Sequence, residues 1–167
     1  MKAIPIESKI LHVIKDIEAR SHLLYLGLMC CILLLQNVVM SSVLAPALNQ
    51  RDNSQVVFDD FSTPILIPLF ISPLFETLIF QAAAICVLQL FELKQKTIIL
   101  LSGLIFGLAH FMGLNYLIVV FSAILAGFLF SGMYLFRLKR SGFFWATTDV
   151  VFVHAINNTV IFIDTFQ

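Results

Sequence analysis

The stretch LLYLGLMCCILLL, Leu23 to Leu35, carries no charged residue, and the apolar character around it extends over residues 22–48. A helix needs about 20 largely apolar residues to cross the hydrocarbon core of a bilayer. This stretch is therefore long enough to span. Four more follow: residues 64–91, 97–111, 115–136 and 142–163, the third of them short. The whole chain agrees with that reading. Of its 167 residues 60% are apolar and 12% charged, where a soluble domain has about 45–50% and about 25%. Mean hydropathy is +0.99. A soluble globule would lack a polar shell, and a disordered chain would not carry so much apolar surface. The expected fold class is an all-α polytopic membrane helix bundle of about five spans.

Residues 1–20 read differently. Ile6, Ile10, Ile14 and Ile17 recur at helical spacing between Glu7, Lys9, His12, Lys15 and Asp16. This is the pattern of an amphipathic helix lying on a membrane surface. The segment is too long and too charged for the start of a signal peptide, and the first span is about twice the usual length of a signal's apolar region, so it reads as uncleaved. Nine of the ten basic residues fall on one side of the alternating spans: Lys2, Lys9, Lys15, Arg20, Lys94, Lys96, Arg137, Lys139 and Arg140. The other side holds Arg51 with Asp52, Asp59 and Asp60, in a polar loop over residues 49–63. The positive-inside rule then places the N-terminus in the cytoplasm of a cell-membrane protein. A net charge of zero leaves no basic field for nucleic acid. Cys30, Cys31 and Cys86 lie inside apolar runs without metal-ligand spacing and read as inert thiols.

Ionisable residues inside spans are costly and mark function or a structural partner. Here they are Glu76, His110, Asp149 and His154, accompanied by amides at Gln36, Asn37, Gln81, Asn157 and Asn158. Glu76 sits roughly 18 Å into its span. Pro73 precedes it by one turn and removes a backbone hydrogen bond, freeing a carbonyl. Phe106 and His110 share a helix face, as do His154 and Asn158. Ser102, Gly103 and Gly107 form a small-residue track suited to close helix approach. Asp149 lies about 140° around the helix from His154 and so serves another partner, most simply a structural hydrogen bond, with a pairing to a basic residue as the alternative. Each residue alone is as well explained by interhelical packing. Together, one carboxylate and two imidazoles from three spans form a set able to activate water and hold an oxyanion, which suits amide hydrolysis.

The order Glu76-x-x-x-x-Gln81, Phe106-x-x-x-His110, His154-x-x-x-Asn158 resembles the motifs EExxxR, FxxxH and HxxxN of the CPBP family. These are the CAAX proteases and bacteriocin-processing enzymes, also called the Abi family of intramembrane proteases. The resemblance covers roughly residues 64–163, which would be the family's four-helix catalytic core. It divides the chain into an interfacial helix over 1–21, a first span and polar loop over 22–63, and a core over 64–167. It implies an intramembrane glutamic endopeptidase, a type formerly classed as metalloprotease, acting on a peptide or membrane-protein substrate within the lipid bilayer. Glu76 would be the base, His110 would position the water, and His154 and Asn158 would stabilise the oxyanion. No cofactor is implied. One Glu and two His could also bind zinc, but no HExxH supplies a separate base. Two positions depart from the motif: Thr77 replaces the second Glu and Gln81 the Arg, a pair at i, i+4 able to exchange an ion pair for a neutral hydrogen bond. The family's CAAX-cleaving eukaryotic members work from the cytosolic side, whereas the charge pattern puts His110 nearer the outer face. The rival readings are a non-enzymatic member of the fold, such as an immunity factor or partner scaffold, and a metal or proton transporter. The paired halves usual in transporters are not visible.

Overall fold

A computed structural model describes residues 6–44, 46, 64–111 and 117–164. The polar loop expected over 49–63, the first five residues and the start of the fourth span at Asn115 lie outside the described residues. Helix α1 covers Ile6–Arg20. Helix α2 covers His22–Val39 and runs on through a π-helical turn, Met40–Leu44. The two meet at Ser21, whose extended backbone breaks the helix and whose hydroxyl accepts from the Leu24 N–H. Helix α3 spans Ile67–Leu90 and helix α4 spans Gln95–Ala109. The rest, Leu117–Asp164, is helical throughout except at Gly142.

Those last 48 residues would reach roughly 70 Å as one rod, over twice the thickness of a bilayer core. They do not form one rod. Gly142 has φ 82° and ψ 178°, a conformation open to glycine and closed to residues with a Cβ. The chain reverses there into two antiparallel helices, α5 (117–141) and α6 (143–164). The reversal brings Arg137 onto Asp149 and stacks Phe130 on His154 at 4.7 Å between ring centroids. Helix α5 thus runs five residues past the expected end at Phe136. By its charge Arg137 marks a terminus, but it is only 5% exposed and is neutralised by two carboxylates, so the helix need not stop there.

Packing follows the small residues. A Cβ on Gly103 would lie 2.1 Å from Phe128 Cδ1, and one on Gly107 would lie 2.1 Å from Ile124 Cγ1. A Cβ on Gly127 would meet the Gly103 backbone at 2.9 Å. Helices α4 and α5 therefore touch backbone to backbone, as the small-residue track predicts. Ser131 donates to Ser102, whose hydroxyl donates on to the Phe80 carbonyl, joining α5, α4 and α3. Helix α2 is stapled on by its amides. Gln36 donates to the Ser122 carbonyl and hydroxyl, and Asn37 donates to Asn157. The core between these helices holds Tyr25, Leu33, Ile85, Phe106, Phe130, Tyr134 and Val150. Outward lie Leu23, Leu35, Phe75, Leu90, Leu108, Phe144 and many other exposed apolar side chains, the surface of a bundle solvated by lipid rather than water. The chain is a membrane protein.

Amphipathic α1 packs Ile14 and Ile17 against this core, while Ile10 and Val13 stay exposed. Its far end is fixed by charge: Glu18 accepts from Arg137 and pairs with Arg140 at 2.7 Å. Asp149, which the helical angle assigns away from His154, accepts from Arg137 and bonds His22 at 3.0 Å. Lys139 donates to Gln95 at the start of α4. The end of α1, the start of α4 and the α5–α6 turn, with their basic residues, are thus at one end of the bundle.

Candidate active site

Helix α3 is wound unevenly around Glu76. Residues Ile67–Ile71 and Thr77–Ala83 are π-helical, with the short α-helical turn Ser72–Glu76 between them. Single π turns inside α-helices recur at functional sites. Pro73 accounts for part of this. The Ser72 N–H bonds the Ile67 carbonyl in the i→i−5 pattern, and the next such donor would be the nitrogen of Pro73, which has no hydrogen. The Pro68 carbonyl is thereby released, and the Asn158 Nδ2 donates to it at 3.0 Å.

The three ionisable residues converge. Glu76 Oε2 stands 3.6 Å from His110 Nε2 and 3.6 Å from His154 Nε2. Its other oxygen accepts from the Ser72 hydroxyl one turn earlier. His110 is the C-terminal cap residue of α4, so the short helix ends at the depth of Glu76 instead of carrying the imidazole past it. The His110 Nδ1–H donates to the Phe106 carbonyl at 2.8 Å. In the neutral ring this leaves Nε2 as an acceptor turned toward Glu76.

Aromatic rings hold both imidazoles. Phe106 packs against His110 at 4.6 Å and edge-on to His154 at 5.8 Å. Phe130 stacks on His154. Phe80 and Phe130 meet Phe106 edge-to-face. His154 is 4% exposed, while the Glu76 and His110 side chains are partly open at 21% and 32%. The set has one sealed wall and one accessible side.

Asn158 belongs to the same face of α6 but not to the cluster of three. Its carboxamide is committed to Pro68. Thr77 and Gln81 do not form the hydrogen bond their spacing suggests. Both are fully buried, and the Thr77 hydroxyl and both Gln81 amide atoms have no hydrogen-bond partner. Both residues lie in the π-helical segment Thr77–Ala83. Ser72, Phe80 and Phe130 were not singled out from sequence. Ser72 had a signal, lying one turn before Glu76; the phenylalanines had none. Among the described residues no group of three His, Cys, Asp or Glu side chains is arranged to hold a metal ion.

No curated protein and no solved structure matches the chain. A family model does: the type II CAAX prenyl endopeptidase Rce1-like model covers residues 59–160, well over half the chain and including Glu76, His110, His154 and Asn158. The chain belongs to the type II CAAX prenyl endopeptidase Rce1-like family, a family of proteases.

Proposed function

We propose that this chain is a glutamate-dependent intramembrane endopeptidase whose catalytic unit is Glu76, His110, His154 and Asn158, carried by a core over residues 64–167. The observation that carries the reading is the position of Glu76 Oε2, 3.6 Å from each of two imidazole nitrogens. That separation is just beyond a direct hydrogen bond and gathers the carboxylate and both imidazoles around one point, where a water bound on their open side is within reach of all three.

In this reading the water donates to Glu76 Oε2 and to His110 Nε2, which the Phe106 carbonyl keeps as an acceptor. Glu76 removes a proton as the water oxygen attacks the scissile carbonyl carbon. The new oxyanion accepts from His154 Nε2–H and from the second N–H of Asn158, whose first remains on Pro68. The C–N bond then breaks, and the proton held by Glu76 passes to the leaving nitrogen. Ser72 keeps the carboxylate aimed during both transfers. The substrate is a peptide or a membrane-protein segment. No cofactor takes part.

Orientation follows from the basic end of the bundle, which faces the cytoplasm of the cell membrane under the positive-inside rule. His110 closes the opposite end of α4 from Lys94 and Lys96. The site therefore lies toward the outer half of the bilayer.

The test is cleavage of a quenched peptide library by the purified protein, with and without a chelator. Cleavage that survives chelation supports the glutamate mechanism. Loss on chelation with recovery on adding zinc would overturn it in favour of a metal mechanism.

A further inference from the structure

At the basic end of the bundle, remote from Glu76, a cleft of about 340 Å³ is lined by His22, Arg137, Ser141 and Trp145. Its residues come from three places: the start of α2, the last turns of α5 and the first turn of α6. We infer that this cleft binds the phosphate of an anionic phospholipid.

The chemistry of the lining supports this. Arg137 is buried and held rigidly, with Nε on Asp149 and Nη1 on Glu18. Guanidinium has five N–H donors in a fixed fork, so those two bonds leave others for a further acceptor. Ser141 adds a hydroxyl. His22 walls the cleft from the start of α2 and is anchored through Nε2 to Asp149. Trp145 is half exposed and belongs to the side-chain type that settles at the headgroup level, ring toward lipid and N–H toward water.

The charge of the surroundings selects the headgroup. Glu18 and Asp149 balance Arg137 and Arg140 within the network. Lys139 at the same turn adds positive charge. Basic pockets between transmembrane helices on the cytoplasmic side are suited to anionic lipid. The ammonium of a zwitterionic headgroup would face like charge there. Such a lipid would tie together the α1–α2 corner and the α5–α6 turn, which already meet through Glu18 and Arg137.

Trp145 is the chain's single tryptophan, so its emission reports this cleft alone. The experiment places the full chain in phosphatidylcholine nanodiscs and raises the fraction of phosphatidylglycerol, with retained lipid counted by native mass spectrometry. The expected result is a saturable change in Trp145 emission and a retained phosphatidylglycerol, neither seen with phosphatidylcholine or with inorganic phosphate alone. Ser141→Leu, which crowds the cleft, and Ser141→Ala, which removes its hydroxyl, should each weaken phosphatidylglycerol binding about tenfold or more with an unchanged melting temperature. Equal response to the two lipids would overturn the inference. So would a response to inorganic phosphate that matches the lipid's, which would make a free anion the occupant, or two folded variants that retain the lipid as wild type does.

Discussion

Replacing Gly107 by alanine adds one methyl group where α4 meets α5. That Cβ would stand 2.1 Å from Ile124 Cγ1, 2.7 Å from the Ile124 nitrogen and 2.8 Å from its Cα. The side chain can rotate away, but the backbone cannot. Real Cβ contacts essentially never fall below 3.0 Å, so the helices must part by several tenths of an ångström at least. Overpacking of this kind costs about 1–3 kcal/mol, and a backbone clash belongs at the upper end. The strain also reaches the site, because Gly107 precedes His110 by less than one turn and follows Phe106 directly. Parting α4 from α5 pulls Phe106 off Phe130 and draws His110 from Glu76. Two controls isolate the effect: a Cβ on Gly27 or on Gly132 meets nothing within 4 Å. Replacing those by alanine should be neutral or stabilising by about 0.5–1 kcal/mol, through helix propensity. The assay is thermal unfolding of the purified variants in detergent, with peptide cleavage measured in parallel. Gly107→Ala should melt well below wild type and lose most of its activity. A Gly107→Ala protein as stable and active as Gly132→Ala would refute the backbone-contact account of this interface.

Two further outcomes follow from buried polar groups. Arg137→Gln leaves Glu18 and Asp149 facing each other without their shared cation, and removing one partner of a buried ion network costs about 3–5 kcal/mol; denaturation in detergent should show this loss, and Glu18→Gln with Asp149→Asn added should recover part of it. Thr77→Val and Gln81→Met remove buried groups that have no hydrogen-bond partner, so each should leave stability unchanged or raise it by about 1–3 kcal/mol, read as a melting temperature; a clear fall would mean that those groups are satisfied in the membrane.

The sequence made Glu76, His110 and His154 conspicuous for a plain reason. Each is ionisable inside an apolar run, where lipid makes such a residue expensive. Their depths could be counted along each helix, but their meeting could not. It depends on where α4 stops, at Ala109, and on the reversal at Gly142 that returns His154 to the level of Phe130. The π-helical winding around Glu76 was not legible, because i, i+4 reasoning assumes a uniform α-helix. The end of α5 depends on long-range partners in the same way. Arg137 looks like a boundary until Glu18, 119 residues away, and Asp149 are seen to neutralise it. Local pattern thus located the helices and the expensive residues. The partners that make those residues tolerable were long-range and had to come from the fold.

The central claim is that Glu76 is the base. Its most direct test is peptide cleavage by Glu76→Gln beside wild type. The amide keeps the size of the side chain and can still accept from Ser72, but it cannot take a proton from water. The account predicts a variant that folds and melts as wild type does and has no measurable cleavage. Cleavage by folded Glu76→Gln at a rate near that of wild type would contradict it.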